Sequence, residues 1–141
     1  MSHERPEDHP ICALVVDDEA TIRLLVSEVL QLSGFRVEEA PDAASALRTL
    51  ARVVPDVILI DARLPDTSGF DLCTAIRQLP VGKSVPILMM TGMDSVGMRP
   101  WARKVGASDI IGKPLNLITL GQQVRALLTD APAASSVGPR P

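Results

Sequence analysis

The chain alternates short, continuous apolar runs with longer stretches in which apolar residues recur every three or four positions. Cys12-Ala13-Leu14-Val15-Val16 is one such run, closed by Asp17-Asp18-Glu19. Val57-Ile58-Leu59-Ile60 is another, and Asp61 closes it. Pro86-Ile87-Leu88-Met89-Met90 delivers Thr91, and the shorter Ser108-Asp109-Ile110-Ile111-Gly112 ends at Lys113-Pro114. Apolar runs of this length read as strands buried on both faces. Phe35-Arg36-Val37-Glu38-Glu39-Ala40 partly alternates, as a strand near a sheet edge does.

Between these runs the spacing is helical. From Thr21 to Ser33 the apolar positions are Ile22, Leu25, Val26, Val29 and Leu32, and Gly34 supplies the stop. Ala43 to Val53 forms a second helix with Asp42 as its N-cap, and Phe70 to Gln78 a third with Leu72, Cys73 and Ile76 inward. The last runs from Asn116 to Thr129, with Leu117, Leu120, Val124 and Leu127 on one face. A fourth helix falls within Ser95 to Val105, where Pro100 intervenes. An interior proline costs a helix about 3 kcal/mol but is tolerated in its first turn. The spacing therefore predicts a late start, near Gly97 or Pro100, leaving Gly92 to Met98 irregular and mobile. Trp101 then sits just inside that helix, either on an outward, signalling face or packed against the fifth strand.

Strand and helix alternate five times, which implies a parallel sheet with right-handed crossovers and helices on both faces. The expected architecture is a three-layer, doubly wound α/β domain over residues 11–129. Residues 1–10 are polar and expected to be disordered. Residues 130–141, rich in Pro, Ala and Ser, read as a tail or linker, which suits a domain of a longer protein or a stand-alone one with a frayed end.

Composition narrows the function. In 141 residues, 46% hydrophobic and 22% charged positions fit one globular domain. A net charge of -3 removes the electrostatic case for direct nucleic-acid binding. The polar N-terminal segment has no apolar signal region, and no apolar run approaches the roughly 18 residues that span a bilayer. The expectation is a cytoplasmic protein without a membrane partner. Cys12 and Cys73 lie far apart in apolar segments and read as buried thiols in a reducing compartment.

Parallel strands would carry Asp17, Asp18, Asp61, Thr91 and Lys113 to the same edge, where open α/β sheets place their ligands. Each has a plain structural explanation alone: Asp17 and Asp18 as helix caps, Asp61 as a loop residue after a core strand, Thr91 before Gly92 as turn chemistry, Lys113 as a solvated charge. Their convergence at one edge is what those explanations leave unaddressed. Three carboxylates in one cleft raise one another's pKa unless a cation compensates. Hard oxygen donors of this kind point to Mg²⁺. A lysine and a hydroxyl opposite the metal are what a tetrahedral anion requires. The set reads as a cradle for a phosphoryl group beside Mg²⁺.

The segments Val16-Asp17-Asp18-Glu19, Ile60-Asp61-Ala62-Arg63-Leu64-Pro65 with Gly69, Met90-Thr91-Gly92 and Gly112-Lys113-Pro114 resemble the CheY-like receiver domain of two-component response regulators. The resemblance runs from about Ile11 to Leu128. It implies a flavodoxin-like sheet of strand order 2-1-3-4-5, and a phosphoacceptor domain that is not an enzyme beyond catalysing its own phosphorylation and dephosphorylation. Asp61 would take phosphate from the phosphohistidine of a sensor histidine kinase or histidine phosphotransfer protein. Asp18 would bind Mg²⁺ directly, Asp17 through water, with Asp61 and the backbone carbonyl of Arg63 completing the ligands. Thr91 would bond a phosphoryl oxygen and Lys113 would pair with the phosphate. The Lys113-Pro114 peptide is cis in many relatives.

By the same resemblance, the fourth helix, fifth strand and fifth helix form the surface that controls an output domain or partner protein, or a homodimer. The run from Lys113 to Arg125 is similar to receivers fused to cyclic-di-GMP synthesis or hydrolysis domains, which implies a cyclic-di-GMP-related output. One position departs from the family pattern: Ile110 stands where receivers often carry Tyr or Phe as a rotamer switch. Two rival classes remain: an interaction module of the same fold that is never phosphorylated, and a Mg²⁺-dependent phosphatase with an aspartate nucleophile. The latter requires Asp-x-Asp, whereas Asp61 is followed two residues on by Arg63. A flavin-binding version of the fold lacks its Ser/Thr/Gly-rich phosphate loop here.

Overall fold

The computed structural model describes residues 11–137, with side chains to residue 129; the segment expected to be disordered, 1–10, lies outside the described residues. Five strands form one sheet in the order β2-β1-β3-β4-β5, namely β1 (Cys12–Val16), β2 (Arg36–Ala40), β3 (Val57–Asp61), β4 (Ile87–Thr91) and β5 (Asp109–Gly112). Every pairing is parallel. The helices are α1 (Ala20–Leu32), α2 (Ala43–Leu50), α3 (Gly69–Arg77), α4 (Ser95–Lys104) and α5 (Leu117–Val137), with one 3-10 turn at Pro80–Gly82. This is the doubly wound architecture that the alternation of periods predicts.

Alternation along the strands divides the core in two. Leu14, Val16, Ile58, Ile60, Ile87, Met89 and Ile110 face one layer with Ala46, Leu50, Phe70 and Ile76 from α2 and α3. Ala13, Val15, Val57, Leu59, Leu88 and Met90 face the other with Val26, Leu30, Leu120 and Val124 from α1 and α5. Successive side chains on a strand point to opposite faces, so an unbroken apolar run serves both layers. Burying one Ile or Leu contributes about 1.5–3 kcal/mol, and β1, β3 and β4 are buried at every position. β2, with an exposed Arg36 and a half-buried centre, is the edge that its partial alternation predicts.

Several termini behave as their residues demand. Gly34 sits at φ +95 after α1, its N–H donating to Gln31 O and that of Phe35 to Leu30 O, a Schellman stop. Asp42 caps α2 by accepting the Ser45 N–H at 2.8 Å. The Lys113-Pro114 peptide is cis. Cys12 and Cys73 are buried, and no disulfide joins them. No helix among the described residues is long and apolar enough to cross a membrane.

Helix α4 corrects the expectation drawn from Pro100. It begins at Ser95, with Pro100 inside it, and the irregular stretch is confined to Gly92–Asp94. Asp94 caps the helix, accepting the Gly97 N–H at 3.0 Å, while Met98 N–H bonds Asp94 O at 3.0 Å. The carbonyl that Pro100 cannot satisfy belongs to Val96, one helical turn earlier, on a residue that is 71% exposed and so lies open to solvent. A cap worth about 1 kcal/mol and the burial of Ala102 offset the rest. Helix α5 runs to Val137.

Candidate functional site

The parallel register sends the C-terminal ends of β1, β3, β4 and β5 to one edge. Asp17 follows β1 and is fully buried; Asp61 and Thr91 close β3 and β4 and are 6% and 2% exposed. Lys113 follows β5, placed by its N–H bonding Thr91 O at 2.7 Å. Its Nζ lies 2.9 Å from Asp17 Oδ2, 3.1 Å from Asp61 Oδ2 and 3.2 Å from Glu19 Oε1. Carboxylates 96 and 52 positions before Lys113 in the chain thus share its ammonium group.

The loop after β3 is shaped around Asp61. The Arg63 N–H donates to Asp61 Oδ1 at 3.2 Å, and Gly69 N–H returns to Ala62 O at 2.8 Å. A Cβ on Gly69 would lie 2.1 Å from the Asp61 carbonyl oxygen, so only glycine lets α3 start this close to the strand end. Asp66, in the same loop, reaches across to accept the Ala43 and Ala44 N–H groups at the start of α2, each at 3.0 Å. That cross-loop cap has no signal in sequence spacing.

Electrostatics at the edge follow from burial. Desolvation pushes the Asp61 pKa above the ordinary carboxylate value, the Arg63 N–H counters it, the charge of Asp17 adds to it, and Lys113 opposes it. For Lys113, burial alone would favour the neutral amine. Hydrogen bonds to Asp17 and Asp61 and their charges outweigh burial and hold its pKa above the normal lysine range. Lys113 is the compensating cation that a cluster of acids requires.

A cavity of about 860 Å³ opens beside this group. Asp18, Glu19, Asp61, Arg63, Thr91 and Lys113 supply its polar lining, and Leu64, Phe70, Met93, Met98 and Trp101 its apolar lining. Thr91 Oγ1 accepts the Met93 N–H at 3.0 Å, leaving its own hydrogen available to a ligand. Asp18 and Arg63 are exposed side chains on the rim. Asp17 and Asp18 do not cap α1, whose N-cap is Glu19 without any side-chain cap bond.

Carboxylate oxygens of Asp17, Glu19 and Asp61 lie within 4.8 Å of one another. Three hard donors at that spacing fit a small divalent cation such as Mg²⁺. Glu19, to which the sequence motif assigns no role, is thus a member of the trio, while Asp18 lines the cavity beside it.

Residues 13–125 match the model of the response regulator receiver domain family. The chain belongs to that family. It is 35% identical over 124 residues to the probable transcriptional regulatory protein TcrX of Mycobacterium tuberculosis, covering 88% of this chain and 52% of TcrX. It is 37% identical over 115 residues to the response regulator PleD of Caulobacter vibrioides, covering 81% of this chain and 25% of PleD. Among solved structures, the chemotaxis response regulator CheY4 of Vibrio cholerae superposes with a TM-score of 0.79 at 35% identity, over 83% of this chain and 98% of CheY4. The chain therefore spans about half of TcrX and a quarter of PleD.

As a receiver domain, this chain departs from the common pattern at the expected place. Ile110 is fully buried in the core layer under α3 and α4, with no aromatic ring to swing between cavity and solvent. Trp101 is the aromatic group nearby: 59% exposed, it lies 5.6 Å from the Phe70 ring at an interplanar angle of 44°. Its aromatic packing partner is thus on α3.

Proposed function

We propose that this receiver domain accepts a phosphoryl group on Asp61 from the phosphohistidine of a sensor histidine kinase or histidine phosphotransfer protein, in the cytoplasm. The observation that carries the proposal is Lys113 held between Asp17 and Asp61, at the rim of a cavity that Thr91 also lines. An oxygen of Asp61 attacks phosphorus, and a P–O bond forms as the donor's P–N bond breaks. The imidazole leaves with the bonding pair and takes a proton from solvent.

This chain's residues position the reaction and offset its charge. Lys113 keeps Asp61 ionised against its burial, and the Arg63 N–H orients the carboxylate. Thr91 donates its free hydrogen to a phosphoryl oxygen. Asp17, Asp18 and Asp61, with the backbone carbonyl of Arg63, would hold Mg²⁺, which when bound neutralises charge on the carboxylates and phosphoryl oxygens. The added dianion then draws Thr91 and Lys113 toward it and shifts the α4-β5-α5 surface that an output domain, partner or second copy reads.

The test is incubation with Mg²⁺ and acetyl phosphate, read by intact mass. One added phosphoryl group, lost in Asp61→Asn and without Mg²⁺, is expected. Absence of uptake would favour a receiver-like interaction module, and multiple turnover of phosphate esters a phosphatase.

A further inference from the structure

An ammonium group has three hydrogens to donate, and Lys113 spends all three on carboxylates: Asp17 at 2.9 Å, Asp61 at 3.1 Å and Glu19 at 3.2 Å. For Lys113 to bond a phosphoryl oxygen, one of these contacts has to open. The three are not equivalent. The Asp17 side chain is fully buried and that of Asp61 is 8% exposed, so releasing either while the phosphoryl group approaches, before the P–O bond forms, would strand a carboxylate away from water. The Glu19 side chain is 61% exposed and can pass into solvent at little cost.

We propose that Glu19 is a displaceable counter-ion: it occupies Lys113 in the unphosphorylated domain and yields its place to the phosphoryl group. The inference rests on Asp61 being the acceptor and adds a positioning residue to it. Glu19 acts through Lys113 and by charge. Its carboxylate, close enough to Asp61 to share a cation site, also repels an incoming phosphoryl dianion. Removing it both frees a donor and lowers the negative potential over Asp61. Position 19 then sets how readily this chain takes up phosphate, while the acceptor machinery at Asp61, Thr91 and Lys113 is left in place.

The experiment compares wild type, Glu19→Ala, Glu19→Gln and Asp61→Asn in acetyl phosphate, with Mg²⁺ on the saturating plateau measured for each protein, by intact mass against time. Both Glu19 variants are expected to phosphorylate about fivefold faster than wild type at low salt, the effect of one charge a few ångströms away. The advantage should shrink toward unity near 1 M NaCl, where screening acts over about 3 Å. A purely structural change would not follow salt in this way. Variants that equal wild type or run slower, with uptake still abolished by Asp61→Asn, overturn the role of Glu19 alone. A wild type that takes up no phosphate overturns the acceptor reading and this inference together.

Discussion

Lys113 Nζ stands 3.1 Å from Asp61 Oδ2, and this one cation has to balance a carboxylate pair that the sheet has carried into the protein. The balance is incomplete, because the Asp61 pKa stays above its ordinary value despite the lysine. An acid whose pKa is higher folded than unfolded contributes stability only when protonated. That contribution is full below the unfolded value of about 3.9 and is lost as pH rises through the raised folded value. At neutral pH, ionised Asp61 therefore opposes folding.

Asp61→Asn is accordingly expected to raise the melting temperature at pH 7 by a few degrees, and the gain should vanish as the pH falls toward 4. Thermal unfolding at a series of pH values measures it. A melting temperature unchanged or lowered at pH 7 would mean that the bond to Lys113 outweighs the cost of burying the carboxylate. The site would then be stability-neutral, not strained toward its ligand.

Asp66 is the opposite case. Bonds from the Ala43 and Ala44 N–H groups hold its carboxyl below the usual range, and Asp42 is held down in the same way by Ser45. A lowered acid contributes stability above the unfolded pKa and loses it as pH falls through the folded one. Asp66→Asn should lower the melting temperature at pH 7, with the gap to wild type closing below about pH 4. Because Asp66 lies in the loop that follows Asp61, the same variant should speed amide exchange at both Ala43 and Arg63. Faster exchange at Ala43 alone would show that the cap does not brace the loop.

What could be read from the sequence and what could not divide along a physical line. The strands were legible because they are buried on both faces, so Val57–Asp61 and Ile87–Thr91 carry almost no polar residue to confuse the period. The polar edge was legible because backbone register alone brings Asp17, Asp61, Thr91 and Lys113 to it. Contacts set by side-chain reach left no periodic trace. Glu19 meets Lys113 across 94 residues, and Asp66 caps a helix 22 and 23 residues upstream. Pro100 misled because its local cost is real but is offset by the Asp94 cap, a contact over three residues, and by the burial of Ala102, which only the tertiary fold reveals.

Trp101 offers the most direct view of switching, because the chain has one tryptophan and no tyrosine. With Ile110 buried and carrying no ring, a signal that reaches Thr91 under the proposed phosphorylation would need another route. Thr91 Oγ1 holds the Met93 N–H, and Met93 leads directly to the Asp94 cap of α4. If the Thr91 hydroxyl turned to a phosphoryl oxygen, the bond to Met93 would be strained and α4 would be free to shift. Phe70, Met98 and Leu64 also line the cavity beside Trp101, so an inward movement of the half-exposed indole would bury it further. Loading Asp61 with beryllofluoride and Mg²⁺ should move Trp101 emission to shorter wavelength and reduce its quenching by acrylamide about twofold, as an indole leaving water does. Thr91→Ala should still take up the analogue, measured by mass, without the emission change. A wild type that loads while its emission stays fixed would show that α4 does not move toward the cavity. The output would then have to be read from Lys113 and α5 instead.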